Sequence, residues 1–225
     1  MDDRARPAPA SAPVAGAPKP APAQPAAGAT AAAAPLVSPV AFLDAERRGT
    51  ADFGNSDFAT AKAKFEEALK GKPDDPEILN NIGLTLERMG QYDDAIERFA
   101  QAARINPKSW AYHFNLAHAS TAKQDWDRAI AEYRAARDIF PDDYATQFNL
   151  AMTLHRKGDE LAAVPEFQKA IQLAPSEASF HLPLAASFEK LGRKDDAKRE
   201  YQQYLDMAPG AADAEAVRAH MQGLT

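Results

Sequence analysis

The sequence predicts an all-α protein, a solenoid of five helix-turn-helix repeats closed by a C-terminal capping helix. Three observations predict it. Prolines recur at Pro73, Pro107, Pro141, Pro175 and Pro209, each 34 residues after the last. Alanines recur with the same step at Ala61, Ala95, Ala129, Ala163 and Ala197. Four residues after each alanine stands an aromatic: Phe65, Phe99, Tyr133, Phe167 and Tyr201. A fixed period of this length is the mark of stacked supersecondary units.

Residues 1–40 precede the rhythm and differ in character. Alanine and proline fill 24 of these 40 positions. Such a segment buries too little apolar surface to offset chain entropy, and its prolines favour extended polyproline conformations. It is expected to be a disordered tail or linker. Pro18, Pro20 and Pro22 could also serve a proline-recognising domain, although nothing beside them supplies specificity.

The repeats run 42–75, 76–109, 110–143, 144–177 and 178–211. With each numbered from 1, position 7 is Arg48, Ile82, Leu116, Leu150 and Leu184, and position 8 is Gly49, Gly83, Ala117, Ala151 and Ala185. Position 15 is glycine in three copies, Gly90, Gly158 and Gly192, and marks a turn between two short helices. The proline at position 32 stops the second helix. Small residues at 8 and 20 let paired helices approach, and the aromatic at 24 fills the gap between repeats. Each buried ring is worth roughly 1.5–3 kcal/mol.

The two ends depart from the pattern. Repeat 1 places Arg48 and Asp52 at apolar positions, with Phe53 one place late, so its first helix is expected to be shifted or frayed. Residues 212–225 form the capping helix, with Ala214, Val217 and Met221 on one stripe and Asp213, Glu215 and Arg218 off it.

Small residues at 8, 20 and 27, aromatics at 17 and 24 and proline at 32 resemble the tetratricopeptide repeat family over residues 42–211. Position 17 keeps the aromatic in Phe58, Tyr92 and Trp126, and loses it at Glu160 and Lys194. The resemblance implies a right-handed superhelix whose first helices line a concave groove, and a protein or peptide partner held there.

On the groove side, position 6 reads Asn81, Asn115 and Asn149. An amide offers both donor and acceptor to an extended backbone. The column resembles the asparagine ladder of O-linked N-acetylglucosamine transferases. Position 5 adds Asn80, Phe114 and Phe148, and position 9 adds Leu84, His118 and Met152. Arg88 and Arg156, with Lys190, supply a basic rim. The expected ligand is an extended or short helical segment bearing some acidic residues. The two-carboxylate clamp of chaperone-binding relatives cannot be assembled, because position 2 holds Glu77, Ala111, Ala145 and Ser179.

Catalysis is not expected. There is no phosphate loop or nucleophile elbow. Asp93, Asp94, Asp195 and Asp196 fall at helix starts, where they suit the dipole. There are no cysteines. His118 and His155 could approach one another on adjacent repeats, but no third ligand completes a metal site. No cofactor is expected. The chain carries a net charge of −6, which disfavours nucleic acid. No apolar run nears the ~18 residues of a membrane span. The first ten residues lack a signal-peptide pattern, which suggests a cytoplasmic chain; an alanine-proline tether also suits a bacterial envelope protein whose N-terminal anchor was removed. An assembly scaffold, self-association included, is the alternative function, and a substrate-recruiting subunit of a separate enzyme is a third.

Overall fold

The computed structural model describes residues 39–224, which hold eleven α-helices, one 3-10 turn and no strand. The helices are α1 (Pro39–Gly54), α2 (Phe58–Gly71), α3 (Pro76–Arg88), α4 (Tyr92–Ile105), α5 (Trp110–Ala122) and α6 (Trp126–Ile139). They continue with α7 (Tyr144–Lys157), α8 (Glu160–Leu173), α9 (His181–Lys190), α10 (Lys194–Met207) and α11 (Ala214–Gly223). The expected Ala/Pro tail lies outside the described residues, apart from its last two, which open α1.

One local device builds every hairpin. The residue at position 15 adopts positive φ in all five repeats: Gly90 at 74°, Gly158 at 90° and Gly192 at 71°, but also Ser56 at 63° and Gln124 at 61°. This left-handed residue reverses the chain. The next amide then donates back to the carbonyl at position 11, as in Gln91 to Leu86, Asp125 to Ser120 and Asp159 to Leu154, each at 2.9 Å. Asp57, Asp125 and Asp159 cap the second helices, and Asp75 and Asp143 cap first helices, by accepting from backbone N–H groups.

The core lies between the paired helices. Phe65, Phe99, Tyr133 and Phe167 are almost wholly buried, opposite the buried small residues at position 8. In repeat 2 a β-carbon on Gly83 would come 2.6 Å from Phe99 Cε1. Ala68, Ala102, Ala136 and Ala170 are fully enclosed.

The first helix of repeat 1 departs from expectation. It is neither frayed nor out of register: α1 has 16 residues and ends at position 13, as α3 and α5 do. Ala45 and Gly49 carry its buried stripe, and Arg48 turns outward to pair with Asp44 at 2.8 Å. In repeat 5 the first helix is short. Pro183 has no N–H for the carbonyl of Ser179, and the chain enters α9 through a 3-10 turn over Ala178–Phe180.

Helix α11 packs Ala214, Val217 and Met221 against the last repeat. The Tyr204 hydroxyl donates to the Asp213 carboxylate at its start. Counted on the same 34-residue frame, α11 occupies a first-helix place. Positions 7 and 11, apolar in most first helices, are here Arg218 and Gln222.

Candidate peptide-binding groove

Each first helix approaches the next first helix, α1 to α3, α3 to α5, α5 to α7 and α7 to α9. The second helices splay: between α4 and α6 lies an open hollow of about 680 Å³, walled by Ile96, Ala100, Arg104 and Arg128 among others. The shorter circumference therefore belongs to the first helices, and their outer stripe is the concave surface.

The three asparagines at position 6 are half-buried and not equivalent. Asn115 Nδ2 donates to Asn80 Oδ1 at 2.8 Å, tying α5 to α3. Asn149 Nδ2 donates to the Ala145 carbonyl at 2.8 Å, within its own helix. Asn81 keeps its amide without a side-chain partner among the described residues, beside Thr50, Phe53 and Leu84. The aromatics at position 5 are also half-buried rather than an open patch. Phe114 sets its edge on Tyr133 at 5.5 Å, and Phe148 stacks on Phe180 of the next repeat at 4.3 Å. Met152 packs against the same cluster, and Leu84 packs against the core of repeats 1 and 2.

The basic rim divides in two. The Arg88 guanidinium lies over Phe53 and Phe58, 5.8 and 5.3 Å from the ring centroids. Lys190 Nζ donates to Glu160 Oε1 at 2.7 Å. Both contacts join position 13 of one repeat to position 17 of the repeat before. An aromatic at position 17 takes the cation on its face, and the buried Glu160 takes it as an ion pair. Arg156 has no carboxylate partner among the described residues and stays exposed.

The histidines do not converge. His118 Nδ1 lies 2.5 Å from Glu87 Oε1 of the preceding repeat. His155 Nδ1 lies 2.8 Å from Glu160 Oε2 and 2.9 Å from Ser187 Oγ. The hydrogen bond to Glu87 raises the His118 pKa, against burial and the nearby charge of Arg156. Burial pushes the Glu160 carboxyl up, yet hydrogen bonds from Lys190, His155 and Ser187 together hold it below the usual range. Among the described residues no three His, Asp or Glu side chains are grouped to hold a metal ion, and no helix is long and apolar enough to cross a membrane.

One polar layer escaped the sequence reading. In repeats 3, 4 and 5 the side chain at position 4 bonds a glutamate at position 23 of its own second helix. The pairs are His113–Glu132 and His181–Glu200, each at 2.7 Å, and Gln147–Glu166. The bond to Glu132 lifts the His113 pKa above its ordinary value despite burial. The signal was present as Glu132, Glu166 and Glu200, again 34 residues apart.

Comparison with known proteins agrees with this geometry. Tetratricopeptide repeat profiles match residues 81–144 and 114–178, residues 64–97, and residues 184–211. No curated protein matches the sequence. Among solved structures, MamA protein superposes with a TM-score of 0.73 at 20% identity, covering 78% of this chain and 96% of that one. A MamA fragment from Desulfovibrio magneticus RS-1 gives 0.72 at 16% identity, covering 76% and 97%. YrrB, described as a TPR protein with an unusual peptide-binding site, gives 0.71 at 14% identity, covering 81% and 100%. At these identities the likeness is one of fold.

Proposed function

The chain belongs to the tetratricopeptide repeat family, whose members are protein-interaction modules, and from that premise we propose that it is an adaptor holding an extended or short helical segment of a partner protein in its concave groove. One observation carries the reading. The first helices turn a stripe of half-buried apolar side chains and amides, with the exposed Arg156 beside it, toward the inner curve. Such a surface suits a polypeptide that offers backbone groups, apolar side chains and some negative charge. Catalysis has no part in this role.

The test replaces Asn81, Asn115 and Asn149 with alanine together. Partners captured by the wild-type chain from its native host should be lost, with the helical circular dichroism spectrum unchanged. Undiminished capture by the folded variant rejects the groove reading.

A second reading has its own observation. Trp110, Phe140 and Tyr144 stand exposed at one edge of the middle repeats, with Trp110 and Phe140 centroids 5.9 Å apart. Exposed apolar clusters of this kind suit a scaffold that self-associates. Light scattering that shows a concentration-independent monomer removes that reading.

A further inference from the structure

The junction between repeats 1 and 2 is built differently from the others. At each later junction a polar side chain at position 12 reaches a polar side chain at position 9 or 10 of the next repeat. Glu87 meets His118 at 2.5 Å, Thr121 meets Thr153 at 3.3 Å and His155 meets Ser187 at 2.9 Å. The scheme continues into α11, where Glu189 meets His220 at 2.8 Å. At the first junction position 12 is Phe53, position 9 is Leu84, and Thr85 at position 10 donates to the Asn81 carbonyl of its own helix, so no polar bridge closes the space. Thr50 at position 9 of α1 is too short to fill it. What remains is a cleft of about 70 Å³ lined by Thr50, Phe53, Phe65, Asn81 and Leu84.

Three features define what the cleft accepts. Its walls are mainly carbon and carry no ionisable group, so a charge entering it would lose hydration without compensation. Its small volume suits the end of an aliphatic side chain. Its rim holds Asn81, the one position-6 amide whose side chain has no hydrogen-bond partner among the described residues. Arg88, lying over Phe53 and Phe58, holds the phenyl wall upright.

We infer that this cleft is the anchoring subsite of the groove: it takes one branched aliphatic side chain, of leucine or valine type, from an extended partner segment, while the Asn81 amide bonds the segment's backbone beside it. The inference rests on the groove reading above and specifies where that groove grips.

The experiment titrates N-acetyl-leucine N-methylamide into the full chain and follows the Leu84 methyl and Asn81 side-chain amide signals by NMR. The glycine and aspartate analogues are controls. The leucine probe should shift both signals saturably, with a Kd on the order of 1 mM for so small a ligand, and the controls should not. Thr50→Leu, on the exposed side of α1, fills the cleft and should weaken the leucine probe at least tenfold without lowering the melting temperature. Asn81→Ala should weaken it by roughly 2- to 10-fold, as the loss of one hydrogen bond requires. A leucine probe that leaves both signals unmoved, or binds Thr50→Leu as well as wild type, overturns the inference. Partner capture that survives Thr50→Leu but is lost in the triple asparagine variant sinks the subsite alone and leaves the groove reading standing.

Discussion

Gln124 occupies, at φ 61°, the left-handed turn position that glycine holds in three other repeats. An L-residue there costs roughly 1–2 kcal/mol, because its β-carbon crowds the following carbonyl. Replacing it by glycine removes that cost but returns roughly 0.4–1 kcal/mol of freedom to the unfolded chain. The turn's own bonds, Gln124 N–H to Thr121 O at 3.0 Å and Asp125 N–H to Ser120 O at 2.9 Å, involve only backbone and persist. Gln124→Gly should therefore stabilise the protein by about 0.5–1 kcal/mol. With a urea slope on the order of 2 kcal/mol/M, the unfolding midpoint read by circular dichroism rises by roughly 0.2–0.5 M. The reverse change, Gly158→Ala at φ 90°, should lower it by a similar amount. If Gln124→Gly leaves the midpoint unchanged or lowers it while Gly158→Ala is tolerated, the turn is not where the hairpin geometry is fixed.

Phe167 is fully buried, so Phe167→Ala should cost about 3–5 kcal/mol in urea unfolding, and Ala163→Leu on the same helix should cost about 1–3 kcal/mol by overpacking. The Glu87 bond raises the folded pKa of His118 above its unfolded value. Its stabilisation is therefore complete below the ordinary histidine pKa and disappears as pH rises through the folded one. Urea midpoints of Glu87→Gln should accordingly fall less than those of wild type between pH 6 and pH 8.5. Glu160 shows the opposite sign: its folded pKa is depressed, so its contribution is present above the ordinary carboxyl range and lost as pH falls through the folded value. Lys190→Met should move that loss to higher pH, seen as a larger drop in melting temperature from pH 7 to pH 5.

The sequence was most legible where stacking makes the same steric demand on every copy. Small residues at 8 and 20, the ring at 24 and the proline at 32 each solve a problem that recurs every 34 residues, so they repeat visibly. The turn was half legible: glycine announced it three times, while Ser56 and Gln124 adopt the same φ without the residue that signals it. Side-chain partnerships across repeats were much less so. Arg88 and Lys190 look alike in a column of cations, yet one lies on aromatic rings and the other on a carboxylate, because the residue at position 17 of the preceding repeat differs. The asparagine column divided for a similar reason. Whether an amide is free depends on its neighbours: Asn115 has Asn80 within reach on α3, Asn149 turns to the carbonyl of Ala145, and Asn81 borders a cleft with Thr50, Phe53, Phe65 and Leu84.

Helix α11 determines how far the solenoid can grow. A further helix arriving after residue 224 would meet Arg218 and Gln222 where most earlier second helices met an apolar side chain. Desolvating those two side chains, and with them the ion pair that Arg218 makes with Glu215, opposes stacking. Lengthening the array by protein engineering therefore requires recoding those two residues first.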